Sequence, residues 1–486
     1  MTAPHKHFRA SSLTFAVGAT FLTFAAYSGG KYVQNSGQSM SAHAHAPKTR
    51  LAQAGPPSLS TSRTSTVRAK STESDKRLRA AVGTFAQVHD LVRSEYVDVL
   101  PSEQAMSHGA VRSMLSALED EQSYFVTASE RLVFDAEGEG RFAGIGAVTA
   151  IRAAKTVGGY NELRLVVVAP LPDSPSARAG LHTGDRITHL DGRYILGDNP
   201  YLTPSKLPQP SPATNLTESN QEGDEMSIQN GIGLLVAQMQ LRQGTKGTHA
   251  LIVHRPNVAK PLRIVVGNAQ TAAPKLLVRR EKSNGKVAIY FRVGAFTESV
   301  AAELESVLQQ TPPDDCIVLD LRQNPGAGSL EVAEQIAASL TSTSEPFAIE
   351  IGAGGKRSPL PLPIKESVNV KRAVSVLTDA GTAGFAEALA IRLADNGATI
   401  VGTGRTWGDG RSQTLYPLPD GSAFTLTTGK LVSPKGTLWD VVGLAPRVVL
   451  PGGMSEPETV ARAVAVAGRT GSASVATSLP SREANH

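Results

Sequence analysis

From Lys286 to Thr428, short apolar runs alternate with segments of helical period, and that alternation leaves few folds open to the chain. Val287–Phe291, Cys316–Leu321, Ala373–Thr378, Thr399–Gly402 and Phe424–Thr428 read as strands. Between them Thr297–Gln309, Leu330–Leu340 and Phe385–Asp395 read as helices, with Val300, Leu304 and Leu308 on one face of the first. Continuous runs of branched apolar residues bounded by turn residues suit strands buried on both faces. Strands and helices in alternation predict an α/β layer fold.

The 486 residues allow two or three domains, and 41% hydrophobic with 19% charged residues is ordinary for a globular chain. Upstream of Lys286 the texture changes twice. Leu78, Val82, Phe85, Val88, Leu91 and Val92 recur at helical spacing, closed by Tyr96-Val-Asp98. Ala105, Ala110, Met114 and Leu115 predict a second helix, giving a helical region over 76–138. Then Phe142-Ala-Gly-Ile-Gly-Ala147 forms a Gly-rich turn into a strand at Val148–Ile151, followed by a strand at Leu163–Val168. A short helix at Ser174–Gly180, a helix at Ile232–Leu241 and a strand at His249–His254 complete a domain over 139–270. Its polar stretch 197–228 reads as a disordered insertion. The α/β core spans 280–452, and 453–486 is a C-terminal helix with a disordered tail.

Residues 1–72 hold eight Lys/Arg and no acid, so against a net charge of +5 the remainder carries −3. The basic balance thus belongs to the tail, and no nucleic-acid surface is expected on the folded part. Residues 1–30 contain the uncharged run Ala10–Gly30 after Lys6 and Arg9, which reads as a signal peptide or a membrane anchor. An organellar transit peptide fits the same acid-free composition. Export to a periplasm or cell envelope is the expectation, with the membrane touched only through this segment. Residues 31–75 read as a disordered basic linker. Cys316, the only cysteine, lies in an apolar strand and reads as an inert core thiol. His43 and His45 in the linker are the weak exception to a chain without a metal pattern, and no cofactor fingerprint occurs.

Phe142–Arg255 resembles a PDZ domain, through Phe142-Ala-Gly-Ile-Gly-Ala147 and Pro175-Ser-Ala-Arg-Ala-Gly-Leu-His-Thr-Gly-Asp-Arg-Ile-Thr-His-Leu-Asp-Gly192. A glycine loop lets successive N–H groups converge on an anion, beside a strand edge that accepts an extended peptide. The resemblance makes Gly144, Ile145, Gly146 and Ala147 candidate contacts for a C-terminal carboxylate and the peptide behind it.

More widely, Leu78–Val449 resembles the C-terminal processing peptidases, also called tail-specific proteases. The carriers are Tyr96-Val-Asp98, Ser123-Tyr124, the PDZ-like blocks, Leu319-Asp-Leu-Arg-Gln-Asn-Pro-Gly326, Val401-Gly-Thr-Gly-Arg-Thr-Trp-Gly408, Leu426-Thr-Thr428, Pro434-Lys-Gly436 and Gly443-Leu-Ala-Pro446, in that order. The resemblance implies a multi-domain α/β (α+β) protein whose core is of the ClpP/crotonase-like type. It also implies a serine nucleophile, a lysine base of lowered pKa and a supporting glutamine. Glu387 and the helix after it set the register for Thr382-Ala-Gly-Phe-Ala-Glu387, which puts the serine position at Gly384. Trp407-Gly-Asp-Gly410 puts the lysine position at Asp409, 25 residues later, and Gln413 matches the glutamine.

Glycine has no nucleophilic atom, and a carboxylate of ordinary pKa is a poor base for a hydroxyl. Thr378–Ala390 contains no serine to take over by a one-residue slip. Thr382 and Ser412 are the candidate substitute nucleophiles, with Lys430 and Lys435 as candidate amines. The oxyanion turn is expected at Gly326 and Ala327, within Asn324-Pro-Gly-Ala-Gly328. Asp320 and Arg322 are expected to make structural hydrogen bonds, and Arg447 stands where the family has Asp. Three functions follow: a binder of protein C-terminal tails or unfolded peptides that does not cut them, an active endopeptidase with a rearranged dyad, or an envelope scaffold dimerised through its N-terminal helices.

Overall fold

A computed structural model of the chain describes residues 64–138, 141–155, 161–196, 231–283, 285–363 and 372–470. The expected leader at 1–30, the insertion 197–228, and His43 and His45 lie outside these residues. Among the described residues no helix is long and apolar enough to cross a membrane.

The chain divides into two units, 33–111 and a larger one containing 112–486. In the first, a helix runs over Thr64–Glu95, so helix reaches back into the stretch read as disordered linker. That stretch lacks apolar periodicity, which is why its composition read as linker. Leu78, Val82, Phe85, Val88 and Leu91 are each 53–64% exposed, so the predicted apolar stripe exists but faces out. His89 and Arg93 reach Glu103 at 3.0 and 3.3 Å, tying this helix to the next, Glu103–Ser116.

The core of the larger unit is a six-stranded sheet in the order Leu277–Ser283, Lys286–Arg292, Cys316–Asp320, Val374–Thr378, Thr399–Gly402, Val448–Val449. The first pair is antiparallel and the rest are parallel. The central strands are buried throughout, as their unbroken apolar runs predict. Helices Glu298–Gln310, Leu330–Leu340 and Phe385–Asp395 cover one face, packing Leu304, Ile336 and Leu389 around Leu319 and Val376. Helix Glu456–Thr470 covers the other with Val460, Ala463 and Val464 against Tyr290, Val318 and Cys316. Burial raises the Cys316 thiol pKa, consistent with an inert core residue.

A second sheet joins Ala423–Val432 to Phe125–Val126, Arg411–Pro417 and Ala348–Gly352, the last of which pairs with Arg357–Leu360. The described strands between 147 and 267 make a separate sheet, called the 141–267 sheet after the domain that carries it, with its own core of Ile145, Leu165, Val167, Ile187, Leu251 and Val253. Ala147–Lys155 is its edge strand, followed across the sheet by Asn161–Pro170, Arg186–Leu190 and Thr248–His254. The helix expected from Ile232 begins at Leu234, because Ile232–Gly233 pairs instead with Ile195–Leu196.

Candidate functional site

Three adjacent parallel strands, ending at Asp320, Thr378 and Gly402, emit three loops at their carboxyl ends, where open α/β sheets place their sites. The first loop is the Asn324–Gly328 turn, the second runs to Gly384, and the third carries Asp409. Backbone hydrogen bonds join them in sequence: Ala383 N–H to Asn324 O (2.9 Å) and Trp407 N–H to Thr382 O (2.9 Å). Gln323 N–H also donates to Asp379 Oδ1 (2.9 Å).

The Asn324 side chain shapes the first loop. Its Nδ2 donates to Val293 O (2.8 Å), and its Oδ1 accepts the Gly326 N–H (2.8 Å). The Gly326 N–H is therefore committed inside the turn. Ala327 is buried and its carbonyl accepts the Phe296 N–H, while among the described residues no group accepts the Ala327 N–H. Behind this turn Arg322 lies on Asp320 (Nη2–Oδ2 2.5 Å), and the Tyr290 hydroxyl donates to the same carboxylate (2.7 Å). These are the structural bonds expected of that pair.

Gly384 is the N-cap of the buried helix Phe385–Asp395, with φ 51° and ψ −116°. Only glycine adopts this conformation without strain. Its N–H donates to Glu387 Oε2 (3.1 Å). Glu387 is fully buried and also accepts from the third loop: Gly408 N–H at 2.7 Å, Asp409 N–H at 2.7 Å, and the Thr406 hydroxyl. One carboxyl thus fastens the Gly384 turn to the Asp409 loop. Burial pushes it up to about 7, opposed by those same donors.

Asp409 is 2% exposed. Its backbone carbonyl accepts the Trp439 indole N–H (3.0 Å), which fixes the loop. Its Oδ1 accepts Gln122 Nε2 (3.2 Å), and its Oδ2 has no hydrogen-bond partner among the described residues. Burial pushes this carboxyl up to about 6, against the pull of the Arg411 and Arg152 guanidiniums. Gln413 donates to Gln122 Oε1 (2.7 Å) and Thr427 Oγ1 (2.6 Å), so Gln122 bridges the base position and its neighbouring glutamine. Arg411 holds the Gln122 segment in place through Asp120 (3.0 Å) and Glu121 (3.1 Å). Arg152 enters from the 141–267 sheet, donating to Trp407 O (2.8 Å) and stacking over its ring at 4.4 Å.

The substitute nucleophiles are otherwise engaged. The Thr382 hydroxyl donates to Leu321 O (2.9 Å) and accepts the Asp379 N–H (3.0 Å). The Ser412 hydroxyl donates to Glu350 Oε1. Lys435 lies against Asp395, and Lys430 pairs in register with Arg411 and Ile351 on the second sheet. Sequence alone marks neither Gln122, Arg152 nor Arg411. Glu387 enters there only as the anchor of the register, with no sign of its role as a shared acceptor.

The Gly144–Ala147 turn leads onto the edge strand Ala147–Lys155, the side left open to an added strand. The Gly144 N–H donates to Gly244 O (2.8 Å) and the Ile145 N–H to Leu241 O (2.9 Å), so the end of helix Leu234–Leu241 occupies both donors. A Cβ at Gly144 would lie 2.1 Å from Leu241 O, which explains the glycine there. The cavity left between Gly146, Ala147 and the buried Arg242–Glu137 ion pair is about 20 Å³, room for one water.

Residues 288–450 match the family model described as peptidase family S41. The carboxy-terminal processing protease CtpB of Bacillus subtilis is 24% identical over 383 residues, covering 78% of this chain and 69% of that protein. The carboxy-terminal-processing protease of Bartonella bacilliformis is 27% identical over 388 residues, covering 78% and 77%. Carboxyl-terminal-processing peptidase 3, chloroplastic, of Arabidopsis thaliana is 26% identical over 368 residues, covering 75% and 64%. Among solved structures, the photosystem II D1 C-terminal processing protease superposes with a TM-score of 0.56 at 20% identity, covering 79% of this chain and 92% of that one, a likeness of fold.

Proposed function

The chain belongs to peptidase family S41 through its α/β core, and from that premise we propose that it binds the C-terminal tails of proteins or unfolded peptides without cutting them. The observation that carries this reading is Gly384. It caps a buried helix at the position that the resemblance gives to the nucleophile, and it offers only backbone there. Asp409 at the base position is a buried carboxyl, not an amine. The Ala327 N–H is a donor suited to a substrate carbonyl, so the cleft retains a means of holding a chain. Binding and carbonyl polarisation without a nucleophile leave a residual ~10³–10⁴-fold acceleration in other triad deletions, too slow for useful turnover.

The 141–267 sheet is the tail-binding module in this reading, a PDZ domain with Gly144, Ile145, Gly146 and Ala147 receiving the carboxylate. Since Gly144 and Ile145 now donate to Gly244 O and Leu241 O, a tail binds only when the 241–244 turn gives way. A rearranged endopeptidase using Thr382 or Ser412 is less favoured, because each hydroxyl proton is already donated to a protein oxygen. The exposed stripe Leu78–Leu91 favours a homodimer through the N-terminal helices, and the acid-free first 72 residues favour export to an envelope compartment.

Tail binding is tested by fluorescence anisotropy with an unstructured peptide ending in apolar residues and its C-terminally amidated twin. Micromolar binding of the free acid and loss on amidation support the reading. Equal binding of the two sinks the carboxylate assignment.

A further inference from the structure

The outer face of the 141–267 sheet gathers basic side chains, all but Arg152 unused by the site above. Arg152, Arg164, Arg186 and His254 come from four adjacent strands, and Arg255 follows directly. Register puts Arg152 opposite Arg164, and Arg186 opposite both Val166 and His254. Their neighbours Ile151, Leu165, Ile187 and Val253 point into the core, so strand alternation turns Arg152, Arg164, Arg186 and His254 outward, and Arg255 joins them just past the strand end. Together they line a concavity of about 330 Å³, the lower end of ligand-pocket size.

The basic charge is only partly answered. Glu162 serves both Arg164 (2.9 Å) and Arg186 (2.6 Å), and Asp185 serves Arg255 (2.8 Å). These two carboxylates therefore pair with three of the four guanidiniums. Arg152 makes no close ion pair among the described residues; it rests on the Trp407 carbonyl and ring and feels the buried Asp409 and Glu387 carboxyls. Like charges directly opposite one another across antiparallel strands destabilise the pairing, so Arg152 beside Arg164 serves the fold poorly. Guanidinium forks are matched instead to carboxylate oxygens, which they bind bidentately.

We propose that this concavity receives the carboxylate side chains of an acidic stretch in the bound polypeptide, a specificity site that rests on the tail-binding reading. A tail added antiparallel to Ala147–Lys155, with its carboxylate at Gly146 and Ala147, runs toward Lys155. At about 3.3 Å per residue its chain draws level with Arg152 roughly five residues upstream of its end. Acidic residues from that position onward meet the basic face. The site thereby selects tails by what precedes them.

The test measures anisotropy of the full chain with peptides sharing one apolar C-terminus and carrying, from the fifth position upstream, Glu residues, Ser residues or phosphoserine. A Glu peptide with an amidated end is the fourth probe. The Glu tail is expected to bind about tenfold tighter than the Ser tail, an advantage that shrinks in high salt. Both His254→Glu and the double variant Arg164→Gln/Arg186→Gln should remove that advantage and leave Ser-tail affinity unchanged. His254→Glu changes an exposed residue with no ion pair among the described residues, so it guards against a folding defect in the double variant. Equal binding of Glu and Ser tails overturns the inference and leaves tail binding standing. Binding of the phosphoserine peptide without the Glu peptide overturns the carboxylate assignment. If only the amidated Glu peptide binds, and depends on His254, the basic site stands and the tail reading falls. If no peptide binds, both fall.

Discussion

The Gly384 turn and the Asp409 loop hang from the same carboxyl, yet they have kept opposite things. At Gly384 the backbone retains a demanding shape, φ 51° at a helix N-terminus, around a residue with no side chain. At Asp409 a charged side chain is retained in a buried place where its second oxygen finds no partner. Both loops are secured by bonds that ignore the identity of residues 384 and 409: their own N–H groups to Glu387, Trp407 N–H to Thr382 O, and Trp439 to Asp409 O. The difference teaches that the placement of these loops does not depend on the side chains at 384 and 409. The two loops are tied to each other through backbone groups and Glu387.

Removing Glu387 strikes both loops at once. Glu387→Ala leaves the Gly384, Gly408 and Asp409 N–H groups and the Thr406 hydroxyl without their acceptor. At about 1–3 kcal/mol for each unsatisfied buried group, with partial relaxation, the expected loss is about 3–5 kcal/mol. Urea unfolding reads it, and a loss below about 1 kcal/mol breaks the view of Glu387 as the shared anchor.

The two loops also predict a pH response. Burial raises Asp409 to about 6 and Glu387 to about 7, both above the ordinary carboxylate range. A raised folded-state pKa means that the native fold holds the proton more tightly than the unfolded chain does. The stability this gives is complete below about pH 4 and is lost as pH rises through 6 to 7. For this pair, unfolding free energy should thus fall between pH 4 and 7. Asp409→Asn removes one of the two ionisations and should raise stability at pH 7 by about 3 kcal/mol, at 1.36 kcal/mol per pKa unit. The gain should vanish near pH 4. A variant equally stable at both pH values relative to the natural chain contradicts the burial argument.

A smaller effect separates backbone from side chain at the other position. Gly384→Ser places a Cβ on a conformation that costs non-glycine residues about 1–3 kcal/mol. Thermal melting should fall modestly, and the single variant should stay inactive because Asp409 is unchanged. A melting point that stays constant shows the turn relaxing around the new side chain, and places the shape in the residue instead of the scaffold.

Much of this frame is legible in the sequence because apolar periodicity reports burial. The unbroken runs at Cys316–Leu321 and Ala373–Thr378 are central parallel strands, and Phe385–Asp395 is a helix. Strands with weak apolar signal are not legible. Leu277–Ser283 is mostly charged because it lies at the sheet edge, and Ala348–Gly352 is only half-buried. The helical start at Thr64 is illegible for the same reason. At the site, the resemblance to the C-terminal processing peptidases singles out Gly384, Asp409 and Gln413. Gln122, Arg152 and Arg411 are invisible there because their partners stand some 255–291 positions away in the chain. No local pattern encodes a contact of that range. Occupation of the Gly144 and Ile145 donors by residues 241–244 is equally a product of tertiary packing.

The most direct test of binding without cutting compares the natural chain with the double variant Gly384→Ser/Asp409→Lys, each incubated with an unstructured protein of apolar C-terminus and followed by mass spectrometry. The account predicts an intact substrate with the natural chain and cleavage by the double variant. Cleavage by the natural chain at a comparable rate would contradict it.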